Sequence, residues 1–475
     1  MSSLSEDYTV PLWIDGEALR ESLATFPVVQ GSTGKTVHQV VSATTAEALR
    51  AVASSKAAFK SWRNTNHVIR RELILKVAAH YEENADTFIK SQMIETSCEE
   101  AWAKQNLELA CRYLREIAAV ISSVNGTIPQ LEKPGAIGFV FKEPVGPVLC
   151  IAPWNAALIL ATRGVASAIA AGCTVVFKAS ELSPLTHYMI TRAFIESGLP
   201  KGVLNQIQTR REDAAEVTEA IIAHEAIRKV EFIGSAAVGR IIGQVAAKHL
   251  KPVLMELGGK GPAIVLDDAD LEEAAKLAAM GAVVNHGQIC FSTERIIVHA
   301  AVAERFQQLL IKAMESAGSH AGCAVSASIG KHANDVLRDA ERAGENFLMG
   351  GPSDSDIRLR PTIVLNPSTS RIVDEETFGP STSLYIVSSD DAVIELANRS
   401  VYGLNATIWS TNMERALKMS RELEYGQVHI NSISVYTSPT ASQGGVKGSG
   451  FGRQNGKWGI EEFLQDKFVS WHGKV

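Results

Sequence analysis

The sequence predicts an α/β protein built on parallel sheets, and three observations carry that prediction. From about residue 145 to residue 270, apolar runs of strand length alternate with segments of helical spacing. That is the pattern of right-handed βαβ units covered on both faces. A second series of the same kind follows from Leu271 to Ile430. The chain has 475 residues, more than the ~250–300 that a single core serves, so two or three domains are expected.

Met1 to Tyr8 is polar and acidic, without the basic and apolar regions of a secretory signal, and Gly473-Lys474-Val475 matches no retention or peroxisomal address. Residues 40–122 carry Ala, Leu, Ile and Val at helical spacing and are read as helices. Between Asn125 and Pro144, prolines at 129, 134 and 144 break that pattern, and Gly135–Phe141 reads as a strand that leaves the body of a domain. Strands are expected at Val148–Ala152, Thr174–Phe177, Val203–Ile207, Val230–Ile233 and Pro262–Leu266. After Ser235, a helix is predicted from Val238, Ile241, Ile242, Val245 and Leu250. The second series reads as a helix at Leu271–Val284, a strand at Arg295–Val298, a helix at Val302–Ala317 and renewed alternation from Thr382 to Ile430. Gly350–Asp356 reads as a surface turn.

Composition removes several classes of function. The balance of 46 basic against 52 acidic residues, net −6, gives no electrostatic reason to bind nucleic acid. Six cysteines without a CxxC pair argue against a disulfide framework or a structural zinc, and for a reducing, cytoplasmic setting. From Val145 to Phe177 the only charge is Arg163, a length that could span a bilayer. Pro147, Pro153, Asn155 and Gly172 interrupt it, and a central Arg would add ~2.5–3.5 kcal/mol to insertion. A buried strand, a tight turn, a buried helix and a second strand are expected there, not a membrane span.

Three segments have a composition that does not serve packing. Phe232–Gly239 is a strand end, a Gly-Ser turn and a helix start, which suits a phosphate at the helix N-terminus. On its own it reads more simply as an N-cap Ser235 and a packing Gly239. Glu256-Leu257-Gly258-Gly259-Lys260-Gly261-Pro262 places a carboxylate at the end of an apolar run, beside a glycine loop. Open α/β sheets hold their sites at such strand ends. Asn285–Arg295 sets Cys290 in a Gly-Gln turn, away from any apolar face, whereas the other five cysteines read as buried, inert thiols. His286 lies four residues from Cys290, which is weak support for a Cys–His pair.

Taken together and in this order, these segments resemble the aldehyde dehydrogenase superfamily. The resemblance runs from Leu12-Trp13-Ile14-Asp15-Gly16 to Lys467–Trp471, through Pro153-Trp154-Asn155, Lys178-Ala179-Ser180-Glu181, Glu376-Thr377-Phe378-Gly379-Pro380 and Gly444–Arg453. It implies an NAD(P)-binding domain of Rossmann type (1–125 and 145–257), an α/β catalytic domain (258–447) and a small β bridging element (126–144 and 448–475). It also implies Cys290 as nucleophile, Glu256 as general base and Asn155 as the amide of the oxyanion hole. For the cofactor it implies Lys178 and Glu181 on the adenosine ribose and Gly234 and Ser235 on the pyrophosphate side, with Ser180 and Val238 also among the cofactor-binding residues. Glu376 and Phe378 would clamp the nicotinamide ribose, and Trp154, Leu257 and Gly258 complete the cofactor-binding set. Glu181 would repel a 2′-phosphate, so NAD is expected, with NADP as the alternative. No metal is expected.

Within the superfamily the active-site segments are most similar to the salicylaldehyde, vanillin and benzaldehyde dehydrogenases, so an aromatic aldehyde is the expected substrate. Arg163 and Tyr436, with Ile289, Phe291 and Gln443, are expected to line its tunnel; the other reading of Arg163 is an internal ion pair. Two departures stand out. Ser442-Gln443 replaces the usual Pro-Phe before Gly444-Gly445, and Thr209–Ala214 lacks the glycines of many relatives. The exposed hairpin and the apolar last strand predict a homodimer or homotetramer. Two rival functions remain: a CoA-acylating semialdehyde dehydrogenase, which sends the same thioester to CoA, and a non-catalytic structural relative.

Overall fold

The computed structural model describes residues 8–22, 24–319 and 321–473. The polar start Met1–Asp7 and the terminal Lys474-Val475, read above for targeting signals, lie outside the described residues. Two sheets organise the chain. The first has eight strands in the order Gly450–Phe451, Val253–Glu256, Lys229–Ile233, Pro147–Ile151, Thr174–Lys178, Leu204–Ile207, Leu12–Ile14 and Glu17–Leu19. Its five central strands are parallel. They are continuous apolar runs because helices cover both faces, with Val148, Leu149, Val175, Val176 and Phe177 fully buried.

Chain order reverses direction between Pro147–Ile151 and Lys229–Ile233, the first and fourth of these strands to be made. A crevice opens beyond the carboxyl ends of two such strands. The edges are antiparallel: Gly450–Phe451 pairs with Val253–Glu256, and the Leu12–Leu19 hairpin pairs with Leu204–Ile207. That hairpin turns on Asp15 and Gly16, both at positive φ, as an Asp-Gly two-residue turn requires.

The second sheet has seven strands in the order Asn346–Met349, Thr362–Leu365, Ser381–Val387, Arg295–His299, Pro262–Val265, Asn405–Trp409 and Gln427–Ile430, parallel except at its first pair. Strand Ala136–Pro144 leaves the body and pairs along its whole length with Leu464–His472. The remaining C-terminal elements stay with the first sheet: Gly450–Phe451 at its edge, and helix Gly456–Glu461 against helices Glu100–Val120 and Ala157–Ala171.

The nearly uncharged run is a strand (Pro147–Ile151), a turn, a wholly buried helix (Ala157–Ala171) and a strand (Thr174–Lys178). No described helix is long and apolar enough to cross a membrane. Three details differ from the sequence reading. Residues 40–42 close a strand, Thr36–Ser42, before the helices begin at Thr45. The helix after Ser235 ends at Lys248, so Leu250 lies beyond it, at positive φ and 90% exposed. Gly350–Asp356 is a turn held to the body, because Asn334 hydrogen-bonds the backbone of buried Ser353 in both directions.

Candidate active site

Loops from both sheets converge on a cavity of about 300 Å³. Asn155 comes from the turn after strand Pro147–Ile151, Arg163 from the helix that follows it, and Glu256 from the last position of strand Val253–Glu256. Cys290, between Ile289 and Phe291, comes from the loop before strand Arg295–His299, and Tyr436 and Gln443 come from the segment after Gln427–Ile430. All eight residues expected as catalytic or tunnel-lining therefore face one space. Helix Glu100–Val120 adds a wall of Trp102, Gln105, Leu109, Arg112 and Tyr113. Sequence reading missed that wall, because its residues recur as on any amphipathic helix lying on a core.

Glu256 is the hub of the cavity floor. Arg163 donates through Nη2 to its Oε2 at 2.5 Å, and both side chains are buried. Gln443 Nε2 donates to the same oxygen at 3.3 Å, and the Cys290 thiol donates to Oε1 at 3.4 Å. Burial pushes the Cys290 thiol well above its ordinary range, and the carboxylates of Glu256 and Glu376 push it further. The site thus holds a thiol set against the Glu256 carboxyl group, and attack by sulfur requires the thiol proton to leave for that group.

Asn155 is buried beside them and spends one amide hydrogen on the Gln288 carbonyl at 3.0 Å. Its own carbonyl accepts from Trp102 Nε1 (3.1 Å) and Asn285 Nδ2 (3.2 Å), which fixes the turn. The backbone N–H of Cys290 has no hydrogen-bond partner among the described residues. Asn285, His286 and Gly287 are consecutively left-handed, a strained run of the kind that clusters at functional sites. Buried Gln288 anchors it, donating to the Asn285 and Cys323 carbonyls and accepting from the Val325 N–H.

His286 forms no pair with Cys290. Its Nε2 accepts from the Leu359 N–H, and burial, with Arg358 nearby, pushes its pKa down to about 4, so it is a neutral part of the core. The other five cysteines are buried free thiols.

The crevice beside the cavity has its own features. Lys178, at the end of strand Thr174–Lys178, is nine-tenths buried, and its ammonium has no hydrogen-bond partner among the described residues. Burial lowers its pKa, against the pull of Glu181. Ser180 is buried, with Glu181 half-buried next to it. Ser235 caps helix Ala236–Lys248 by accepting from the Val238 N–H. Val238 (45% exposed) and Ile241 (57%) leave that helix's apolar outer face open. Leu257 packs on Gly239. Trp154 and Phe378 meet edge to face at 6.0 Å, and Phe378 is left-handed.

Gly258 and Gly259 are glycines because of close approach. A Cβ on Gly258 would stand 2.2 Å from Glu376 Oε2, and one on Gly259 would stand 2.5 Å from the Cys290 carbonyl. Glu376 accepts from the Gly259 N–H, and its pKa is pushed up to about 8 by burial first and Glu294 second. A buried pair, Lys260 and Glu294 at 2.8 Å, braces the region. Lys260 also donates to the Glu375 carbonyl and to Thr377, while Glu294 accepts from the Thr377 and Phe378 N–H groups. Sequence reading passed over this pair, since each member sits inside a motif noted for a neighbour. The glycine-free Thr209–Ala214 loop is tied instead by Arg210, which pairs with Asp213 and donates its N–H to Ser42 Oγ.

Residues 18–469 match the model of the Aldehyde dehydrogenase family. A vanillin dehydrogenase of Pseudomonas fluorescens is 41% identical, with 97% of each chain covered. Among solved structures, a salicylaldehyde dehydrogenase from Pseudomonas putida G7 complexed with salicylaldehyde superposes with a TM-score of 0.95 at 36% identity, over 98% of each chain. A betaine aldehyde dehydrogenase from Staphylococcus aureus in complex with NAD+ has a TM-score of 0.92 at 29% identity, over 98% of this chain and 94% of that one. Fold and site thus belong to an α/β oxidoreductase. The chain is a member of the aldehyde dehydrogenase family.

Proposed function

We propose that this enzyme oxidises an aromatic aldehyde, of the salicylaldehyde or vanillin type, to its carboxylic acid with NAD+. The observation that carries the reading is the single cavity onto which Cys290, Glu256 and Asn155 converge. Its walls of Trp102, Leu109, Ile159, Leu160, Ile289 and Phe291 suit a flat ring. The relatives named for vanillin and salicylaldehyde support that ring.

The residues divide the work as follows. Glu256 Oε1 takes the Cys290 proton, and the thiolate sulfur bonds to the aldehyde carbon while the carbonyl electron pair moves to oxygen. That oxyanion lies between the Asn155 amide and the Cys290 N–H, the two donors free to meet it. When its electron pair returns, the carbon keeps sulfur and loses its hydrogen with the bonding pair, leaving a thioester on Cys290. NAD+, when bound, supplies the acceptor for that hydride. Glu256 gives up that first proton to solvent and then takes one from water; hydroxide adds to the thioester, and the carbon–sulfur bond breaks to release the acid and the Cys290 thiolate, which recovers its proton from Glu256.

The crevice residues fit a dinucleotide. Lys178 offers a buried, unpartnered donor beside Glu181, the Ser235 helix start faces the crevice, and Val238 and Ile241 are an apolar bed for a base. Gly234 stands with Ser235 on the pyrophosphate side, and Leu257, Gly258, Glu376, Phe378 and Trp154 close the nicotinamide side. Glu181 disfavours a 2′-phosphate, hence NAD+ over NADP+.

We assign the cofactor half to 1–125 and 145–257, the catalytic half to 258–447 and the bridging element to 126–144 and 448–475, with Gly450–Phe451 returning to the cofactor sheet. Exposed Ile137, Phe141, Phe468, Val469 and Trp471 on the two-stranded sheet support a homodimer or homotetramer. The six unpaired thiols support a cytoplasmic enzyme.

The test is a panel of benzaldehyde, salicylaldehyde, vanillin and hexanal with NAD+ or NADP+, following reduced nicotinamide. Acid should form from the aromatic aldehydes without CoA. Turnover only with CoA would indicate acyl transfer, and no turnover with any aldehyde would overturn the reading.

A further inference from the structure

Arg163 is a fully buried charge in the cavity that the chemistry above leaves without a task. It projects from helix Ala157–Ala171, every residue of which is buried. A guanidinium there needs a partner, because an unpaired buried charge is strongly disfavoured. Its Nη2 takes Glu256 Oε2, its Nη1 reaches Asn455 Oδ1 at 3.5 Å, and its face lies over the Tyr113 ring. Its Nε–H is closed off from solvent and has no partner, and each terminal nitrogen already holds an acceptor of the protein.

The two carboxylate oxygens of Glu256 are therefore unequal. Oε2 is filled by Arg163 and Gln443, and Oε1 is turned to Cys290 Sγ. Gln443 is itself fixed, its Oε1 accepting from Thr437 and Asn455. We propose that Arg163 is a positioning residue: by occupying Oε2 it holds the Glu256 carboxylate with Oε1 toward Cys290, and it makes no contact with the aldehyde. This rests on Glu256 being the base.

The charged and titratable groups around the pair come from every packed element. Glu231 lies on strand Lys229–Ile233, bonded to Gln454; Tyr113 on helix Glu100–Val120, bonded to Thr437; Cys290 is on the nucleophile loop, with Glu376 facing it. Glu231 is a second buried carboxylate that Arg163 attracts. It shares the cation electrostatically, while Glu256 alone bonds it directly.

The experiment uses the full chain with NAD+ and benzaldehyde, and the variants Arg163→Met, Arg163→Lys, Glu256→Gln and Arg163→Met/Glu256→Gln. With Arg163→Met, kcat is expected to fall about tenfold or more, while KM for benzaldehyde stays within about twofold. The acid limb of the kcat profile moves up by about one pH unit or more, because a carboxylate without its cation ionises later. Arg163→Lys restores part of both. In the Glu256→Gln background, adding Arg163→Met changes kcat no further.

An unmoved acid limb with a KM rise confined to hydroxylated benzaldehydes would show that Arg163 meets substrate. Losses that multiply in the double variant would overturn the inference too. If Arg163→Met fails to fold with Glu256 left unpaired, the Lys variant and the charge-free double variant decide by the same readouts. Wild-type kcat in Glu256→Gln would instead refute Glu256 as the base, a separate failure.

Discussion

Replacing Asn155 by Ala separates catalysis from architecture, because its backbone and side chain do different work. The carbonyl that braces the turn, accepting from Trp102 and Asn285, is untouched by the substitution. The side chain gives up one hydrogen bond, to the Gln288 carbonyl, worth about 0.5–1.5 kcal/mol of stability. If the second amide hydrogen stabilises the oxyanion, the barrier should rise by ~2.7–4 kcal/mol. At ~1.36 kcal/mol per tenfold, that is ~100–1000-fold in rate. The assay is rapid mixing with benzaldehyde and NAD+, reading the first turnover, alongside thermal unfolding. A first-turnover rate lower by two to three orders is expected, with only a slight loss of thermal stability. Asn155→Asp keeps the shape but sets a negative charge beside the developing oxyanion, and should be no better. A rate within a few-fold of wild type would leave the oxyanion to the Cys290 N–H alone and refute the assignment. A collapse of stability would instead make Asn155 an anchor.

Four further outcomes follow. Gly259→Ala should remove the first turnover in a folded protein, because its Cβ would stand 2.5 Å from the Cys290 carbonyl and displace the nucleophile loop; circular dichroism with the rapid-mixing assay checks it. Alkylation of the native protein, mapped by mass spectrometry, should label Cys290 alone, slowly at neutral pH and faster as pH rises, since five thiols are buried and burial raises that of Cys290. All six thiols have folded-state pKa values above ordinary, so the unfolded chain loses its protons first. Their contribution to stability falls as pH rises above the ordinary thiol value, and denaturant titration at increasing pH measures it. Lys260→Met leaves Glu294 buried without its cation and should cost about 3–5 kcal/mol, whereas Lys260→Met with Glu294→Gln should recover much of the loss; melting temperatures compare them.

The strands and the residues of chemistry were legible for different reasons. Strands buried on both faces are short apolar runs with turn residues between them, so Val148–Ala152 and Thr174–Phe177 were placed to within a residue. Cys290 and Glu256 stood out because a polar group among glycines serves no packing. What the sequence hid were partnerships. Trp102 and Asn285 are 183 residues apart (285 − 102) yet meet on one carbonyl, and neither position announces this. Lys260 and Glu294 face the same difficulty. An apolar stripe at helical spacing need not face a core: Val238 and Ile241 lie in the helix the spacing predicted, yet they face outward.

Arg163 and Gln443 were both expected as separate members of a substrate tunnel's lining. They prove to be one feature. Both donate to the same oxygen of Glu256, and Asn455 ties them together, bonding Arg163 through its carbonyl oxygen and Gln443 through its amide nitrogen. A polar floor tied together in this way has fewer groups left to offer a substrate, because several of its donors and acceptors are already committed. Selectivity for an aromatic ring must then come from the walls. Trp102, Leu109, Ile159, Leu160 and Phe291 present apolar surface along the sides of the cavity, and Tyr436 stands exposed at its edge with a hydroxyl. On this reading the charged pair tunes the chemistry at Cys290, and the ring is recognised by shape and apolar contact, with Tyr436 the group best placed to meet a ring hydroxyl.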